Sequence, residues 1–192
     1  MRQSSHLVKL IIIALLSTIA MILMLLNFPL PFLPGYLKID FSDVPAIIAA
    51  FIFSPIAGII VEAMKNVIYF FYSGAGDPVG VVSNFIAGAM FVLPVSVLYH
   101  KYKTVKSVIS GIVTSTVVMA IGMSLLNYFL ILPAYSWFMG WDTMSHTVKL
   151  SAVLVGILPF NAIKGMVVAL LLIPVFVKMK PWIEEKQMNL AR

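Results

Sequence analysis

The segment PFNAIKG, residues 159–165, places an asparagine and a lysine three residues apart in an otherwise apolar stretch. Between Ser151 and Val177, Lys164 is the only ionisable residue. A charged side chain inside a membrane costs at least about 2.5–3.5 kcal/mol, so a functional site is the default hypothesis. Asn161 and Lys164 share one helical face, because residues three apart are neighbours on a helix. Together they offer hydrogen-bond donors and an acceptor to a ligand.

Two more asparagines lie at a similar depth on other predicted helices. At about 1.5 Å per residue from the cytoplasmic helix ends, Lys164 lies roughly 21 Å, Asn84 roughly 24 Å and Asn127 roughly 31 Å up. This layer predicts a water-accessible pocket that opens outward. The alternatives are structural. A membrane asparagine often clamps two helices, a contact worth on the order of 0.6–2 kcal/mol, and Lys164 could form an ion pair with Glu62.

Sequence patterns of catalysis are not found. The three histidines lie in predicted loops or at termini without paired carboxylates, and the chain contains neither G-x-S-x-G nor H-E-x-x-H. It also contains no P-loop pattern for binding nucleotide phosphates, and no cysteine for a thiolate metal site. We therefore expect a protein that binds or moves a molecule, not an enzyme, with no metal and no cofactor.

The composition is that of an integral membrane protein. Of the 192 residues, 61% are hydrophobic and 10% are charged, and the mean hydropathy is +1.06. A soluble domain of this size cannot hide so much apolar surface. The net charge of +6 fits basic loops that flank membrane helices better than a nucleic-acid surface. We expect residues 1–192 to form a single membrane-embedded domain.

Apolar runs lie at about 7–28, 44–72, 79–99, 107–132 and 151–177. The second run is either one long helix or two short ones broken at Ser54-Pro55, because proline removes a backbone donor and clashes with the preceding turn. With the break the prediction is an all-α protein of six transmembrane helices. The second helix, from about Val44 to Phe53, is then short for a bilayer, so it must tilt or be shielded by its neighbours.

The distribution of basic residues favours the six-helix interpretation. It places Lys38 and Lys149 on one side of the membrane, Lys65 and Lys164 inside spans, and nine basic residues on the side of the termini: Arg2, Lys9, Lys101, Lys103, Lys106, Lys178, Lys180, Lys186 and Arg192. Because cytoplasmic loops carry the excess of lysine and arginine, both termini are predicted to be cytoplasmic. A five-helix protein would lose this asymmetry. The first run is too long for a signal-peptide core and is interpreted as a retained helix.

Four segments carry a family resemblance: PLPFLPGYLKIDFSDVPA, SPIAGIIVEAMKN, PVGVVSNFIAG and PFNAIKG. In this order they resemble the substrate-binding S components of energy-coupling-factor (ECF) vitamin transporters, and most of all the riboflavin-specific ones. The resemblance implies a six-helix fold in the bacterial cell membrane, with an outward pocket and a first loop that closes over the vitamin. It also implies riboflavin as the bound substrate, and a partner assembly of one transmembrane coupling (T) component and two ABC-type ATPase subunits.

The resemblance also bears on individual residues. Asn84 lies in the segment NFIAG, and Asn161 and Lys164 lie in PFNAIKG, which are the parts most like riboflavin-specific members. With Asn127 they form the predicted substrate site. Three further residues are predicted to bind substrate or to be structural: Asp40, Glu62, which can also pair with Lys65, and Gly80. The small-residue motif that docks on the coupling protein has its nearest match at Ala14 and Thr18, although the family usually has alanine at both positions.

Two rival functions remain at this point. One is a proton- or ion-coupled secondary transporter that uses Glu62 and Lys164 as its relay, against which stand the small size and the lack of a visible inverted repeat. The other is a structural membrane subunit without a ligand. An S component for another vitamin, such as thiamine or biotin, is also compatible with the composition.

Overall fold

The computed structural model describes residues 2–72 and 76–191, and most of them are helical. The eight helices are α1 (Arg2–Leu25), α2 (Asp43–Ile52), α3 (Pro55–Tyr72), α4 (Pro78–Tyr102), α5 (Val105–Leu126), α6 (Leu132–Met139), α7 (His146–Ser151) and α8 (Leu158–Ala191). One π-helical turn (Asn127–Ile131) joins α5 to α6, and a second (Ala152–Ile157) joins α7 to α8. The eight helices therefore form six continuous helical segments.

Among the described residues, five segments are long and apolar enough to cross a membrane: Leu7–Leu25, Pro55–Tyr72, Pro78–Tyr102, Val105–Met139 and His146–Met188. The sixth is α2, with ten residues. The predicted helical membrane fold and the six segments are thus confirmed. The structure adds one element that hydropathy did not predict, an antiparallel pair of two-residue strands in the first loop, β1 (Phe28–Pro29) and β2 (Lys38–Ile39).

The predicted break in the second apolar run is also confirmed. Helix α2 ends at Ile52, and α3 begins at Pro55. Proline suits the first position of a helix, where its missing N–H would have no intrahelical partner. The side chain of Ser54 accepts a hydrogen bond from the Ala57 backbone N–H at 3.3 Å, which satisfies one of the free donors of the new helix.

Helix α2 is enclosed by the rest of the bundle. All ten of its residues are buried, and it packs against α1, α3, α4 and α8. Ten residues extend only about 15 Å, which is half the thickness of a hydrocarbon core. Of the two solutions that the sequence left open for so short a helix, the structure shows shielding by neighbouring helices.

A glycine allows three helices to meet closely around α2. A Cβ atom added to Gly58 of α3 would lie 2.7 Å from both Ala50 Cβ and Val92 Cγ1, and 2.8 Å from the Ala46 carbonyl oxygen. These atoms belong to α2 and α4, so Gly58 is the point at which α3 touches both. Small residues give membrane helices this close approach.

The C-terminal carbonyl groups of α2 are satisfied by side chains from other helices. The last four carbonyls of a helix have no intrahelical partner, and burial makes such groups costly. The Nε2 atom of His100, on α4, lies 2.7 Å from the Ala50 oxygen, and the amide of Gln187, on α8, donates to the Phe51 oxygen at 2.5 Å. Two helices thus cap the buried end of a third.

Helix α8 contacts both ends of α2. Its Lys164 lies 3.1 Å from Asp43 at the start of α2, while its Gln187 contacts Phe51 near the other end. Two prolines lie inside α8 between the two contacts, and proline is a common cause of helix kinks.

Gly58→Ala should lower the thermal unfolding midpoint of the detergent-purified protein by roughly 2–8 °C, because the added methyl overlaps packed atoms of two helices. Alanine's higher helix preference, about 1 kcal/mol, acts in the opposite direction. Gly156→Ala is the matched control, since its nearest neighbours would lie at 3.7 Å, an ordinary contact. A midpoint that is unchanged in Gly58→Ala would contradict the close packing.

Candidate functional site

A cluster of buried charges lies where α2, α3 and α8 meet. Its centre is Lys65, whose ammonium donates to Ser42 Oγ at 2.7 Å, Asp43 Oδ1 at 2.7 Å and Glu62 Oε1 at 2.9 Å. An ammonium has three donors, so these contacts occupy all of them. The side chains of Asp43, Glu62 and Lys65 are 0% exposed. Lys65 therefore has a structural position in the protein interior.

The second cation of the cluster is Lys164. Its Nζ lies 3.1 Å from Asp43 Oδ2, the oxygen that Lys65 does not contact. Two carboxylates and two ammonium groups make the cluster formally neutral, which is the condition under which buried charges are tolerated. We define the ion cluster as Asp43, Glu62, Lys65 and Lys164.

The ion cluster corrects the predicted alternative for Lys164. An ion pair with Glu62 was considered, but within the described chain Lys164 pairs with Asp43, and Glu62 pairs with Lys65. The physical reason is position: Asp43 opens α2, which lies between α3 and α8. Asp43 was missed because the predicted second helix began one residue later, at about Val44. An acidic residue in the first turn of a buried helix was the available signal, since the helix dipole favours a negative charge there.

Glycines of α4 make room for the carboxylates. A Cβ atom on Gly88 would overlap the Glu62 carboxylate, so glycine lets α4 pass close to the ion cluster. Gly80, a candidate for substrate binding or structure, lies half-buried at the start of α4, where its N–H donates to Asp77 Oδ1 at 2.8 Å. Asp77 is the N-cap of this helix, so the observed contact of Gly80 is a structural one.

The predicted site asparagines differ in their contacts. The Asn84 amide donates to Asn66 Oδ1 at 3.0 Å, which joins α4 to α3 as an interhelical clamp. Asn127 and Asn161 instead donate to carbonyl oxygens of their own helices, each at 2.8 Å. No described residue donates to the side-chain oxygen of either, so each keeps an acceptor for another molecule.

Two of the three asparagines connect to the ion cluster, one through its own helix and one through a bridging side chain. Asn161 lies one turn before Lys164 on α8. Asn127 opens the first π-helical turn, which packs against the second. Asn84 connects through Asn66 to the Glu62 carbonyl oxygen, which accepts from the Asn66 amide at 2.8 Å. The structure therefore links Asn84 and Asn161 to the ion cluster, whereas Asn127 lies at the first π-helical turn with no described contact to the cluster.

We call Asn127, Asn161 and Lys164 the polar edge. These residues keep a small exposed fraction, which the interior of the ion cluster lacks. Asn127 is 9% exposed, Asn161 4% and Lys164 3%, whereas the side chains of Lys65 and Asp43 are 0% exposed. Lys164 is therefore the less enclosed of the two cations in the cluster. The π-helical turns are a further signal, because such turns frequently occur at functional sites.

The first loop covers this region. Its Leu37 packs against the residues Leu132, Val153 and Ile157, and a Cβ atom on Gly156 would lie 3.7 Å from both Leu37 and Pro34. Asp40, the remaining candidate of this loop, is buried, and its Oδ1 accepts from the Ser42 N–H at 2.7 Å. Asp40 thus shapes the turn by which the loop enters α2.

The predicted docking residues lie apart from the ion cluster. Ala14 and Thr18 are both exposed on α1. The Thr18 hydroxyl donates to the Ala14 carbonyl oxygen at 3.0 Å within the helix. Because its hydroxyl is satisfied in this way, Thr18 does not need a polar partner, and it can replace alanine on an apolar surface.

Comparison with known proteins gives a consistent result. The profile of the family described as "ECF transporter, substrate-specific component" matches residues 8–176. The chain is 52% identical over 181 residues to the riboflavin transporter FmnP of Bacillus subtilis (strain 168), covering 93% of this chain and 95% of that protein. It is 44% identical over 165 residues to the riboflavin transporter RibU of Staphylococcus aureus (strain TCH60), covering 86% of each.

A solved structure agrees with this assignment. It is described as the S component of a bacterial ECF transporter, and it superposes with a TM-score of 0.78 at 42% sequence identity. The match covers 91% of this chain and 96% of the other. The resemblance seen in the four sequence segments is therefore confirmed over nearly the whole length, and the chain belongs to the family of substrate-specific S components of ECF transporters.

Proposed function

We propose that this chain is a riboflavin-binding S component, which captures the vitamin from outside the cell and delivers it to an ATP-driven coupling module. The observation that carries the proposal is the 52% identity, over 93% of the chain, to a protein named as a riboflavin transporter. Members of this family are not enzymes, which agrees with the missing catalytic patterns. Riboflavin is the substrate, and no cofactor is required.

The polar edge of the ion cluster suits this ligand. Riboflavin presents a flat tricyclic ring with a uracil-like edge, which carries two carbonyl oxygens around one N–H, and a ribityl chain with hydroxyl groups. Lys164 can donate to a carbonyl oxygen, because the one described contact of its ammonium is Asp43. Asn127 and Asn161 can accept from the ring N–H or from a hydroxyl through their free side-chain oxygens. Asn84 completes the proposed binding site from α4.

The remaining candidates have supporting roles in this proposal. Glu62 is enclosed and holds Lys65, and Gly80 lies in the N-terminal turn of α4. Asp40 orders the turn at which the first loop enters α2. The first loop, which lies over the π-helical turns, is the element that closes over the bound vitamin.

The proposed topology places both termini in the cytoplasm of a bacterial cell, with the protein as a multi-pass component of the cell membrane. Nine basic residues on the side of the termini, compared with two on the other side, support this orientation. Although α2 is only ten residues long, it completes a crossing, because the first loop reaches into the bundle to meet it.

The proposed partners are one transmembrane T component and two ABC-type ATPase subunits. The sequence contains no phosphate-binding loop, so the energy for transport has to come from another chain. The exposed small residues Ala14 and Thr18 form the proposed docking face for the T component, since small side chains allow helices to approach closely.

Reporter fusions test the topology. A reporter joined after residue 192 should be cytoplasmic, and one inserted near Gly140 should be external, because the basic residues are concentrated on the side of the termini. The measurement compares the activities of two reporters, one that is active only in the cytoplasm and one that is active only outside it. If both fusions report the same side, the number of crossings is wrong.

Ala14→Trp tests the docking face. The bulky ring should abolish most riboflavin uptake by cells that express the whole transporter, while the dissociation constant of the purified chain stays within about threefold. Leu15→Trp is the matched control, because Leu15 is 58% exposed on a neighbouring face of α1 and should retain uptake. Normal uptake by Ala14→Trp would place the docking face elsewhere. Loss of riboflavin binding would mean that α1 shapes the pocket.

Lys164→Met tests the binding site. A hydrogen bond to a charged group contributes roughly 1.5–3 kcal/mol, so the dissociation constant of riboflavin should rise about ten- to a hundredfold. Methionine keeps the apolar stem, and the measurement is quenching of riboflavin fluorescence by monodisperse protein. Lys178→Met, an exposed lysine on the same helix, should leave affinity unchanged. If Lys164 only neutralises Asp43, stability will fall while affinity stays within about threefold.

A further inference from the structure

Lys65 is placed where it cannot bind the ligand itself. Its side chain is 0% exposed, and its three donors are occupied by Ser42, Asp43 and Glu62. Asp43 nevertheless connects Lys65 to the proposed binding site. One of its carboxylate oxygens contacts Lys65, and the other contacts Lys164.

Asp43 is a fixed point between the two lysines. It is the first residue of α2, a helix that is buried along its whole length and packed against α1, α3, α4 and α8. Because the helix is enclosed, the Asp43 carboxylate stays in place when either lysine moves. How tightly Asp43 holds Lys164 depends on what occupies its second oxygen.

We propose that Lys65 is a positioning residue for Lys164. By occupying Asp43 Oδ1, it restricts Asp43 to one contact with Lys164, and it leaves the remaining N–H groups of Lys164 directed at a carbonyl oxygen of the ligand. This inference rests on the proposed function. It extends the binding determinants from the polar edge to a residue in the enclosed interior of the ion cluster.

The charge balance gives the expected effect of removing Lys65. Without it, the carboxylates of Asp43 and Glu62 share one cation, and the ion cluster carries a net negative charge. Buried carboxylates without a partner are strongly unfavourable, so both draw on Lys164. The Lys164 ammonium then turns into the cluster, and its hydrogen bond to the ligand is lost although its own side chain is unchanged.

The test is a double-mutant cycle on the purified full chain, with Lys65→Met, Lys164→Met and the combined variant. The measured quantity is the dissociation constant of riboflavin from fluorescence quenching. Lys65→Met should weaken binding at least tenfold in the parent, but less than threefold when Lys164 is already methionine. An equal factor in both backgrounds would mean that Lys65 acts independently of Lys164, which would overturn the proposal.

Two further variants separate positioning from loss of stability. Lys65→Arg keeps the charge and should recover most of the affinity lost in Lys65→Met. His100→Ala removes a hydrogen bond at the opposite end of α2, so it should destabilise the protein while affinity stays within about threefold. Failure of Lys65→Arg to recover affinity, or an equal loss of affinity in His100→Ala, would contradict positioning.

If Lys65→Met does not yield monodisperse protein, the cycle is run with Lys65→Gln, which removes the charge of Lys65 and keeps a polar side chain in the enclosed site. Its effect should also depend on Lys164, and equal factors in both backgrounds would again overturn the proposal. A parent protein that does not quench riboflavin fluorescence contradicts the proposed function. A parent that binds riboflavin while the cycle is additive contradicts only the role of Lys65.

Discussion

The structure depends on one constraint, the burial of a ten-residue helix in the middle of a membrane bundle. Helix α2 is too short to reach both surfaces, so the unpaired groups at each end need partners inside the protein. At its C-terminus His100 and Gln187 approach the free carbonyl oxygens. At its N-terminus the buried carboxylate of Asp43 is paired with Lys65 and Lys164. The glycines that face α2 and the ion cluster, Gly58 and Gly88, allow the close packing that this burial requires.

The same constraint creates the proposed binding site. The two carboxylates and two ammonium groups of the ion cluster sum to no net charge. Of these four residues, only Lys164 keeps a small exposed fraction. The cation is held on one side by Asp43 and has donors left on the other. A neutral ligand with carbonyl oxygens can use such a group without adding a buried charge. Under the proposed function, a lysine at this depth can therefore serve a vitamin that carries no charge.

Much of this arrangement was predictable from the sequence. Hydropathy and the proline at position 55 gave the helices and the break, and the three-residue spacing of Asn161 and Lys164 put them on one face. Tertiary contacts were not predictable. The partner of Lys164 depends on α2 lying between α3 and α8, and the π-helical turns next to Asn127 and Asn161 have no signature in hydropathy. A two-residue strand pair is likewise too short for a periodic pattern.

The most direct test of the central claim is an experimental structure of the purified chain with riboflavin bound. We expect a carbonyl oxygen of the flavin ring about 3 Å from Lys164 Nζ, with Asn161 in contact with the ligand and Asp43 still between Lys65 and Lys164. Flavin density away from α8, or a Lys164 ammonium enclosed by protein atoms alone in the bound state, would contradict the account.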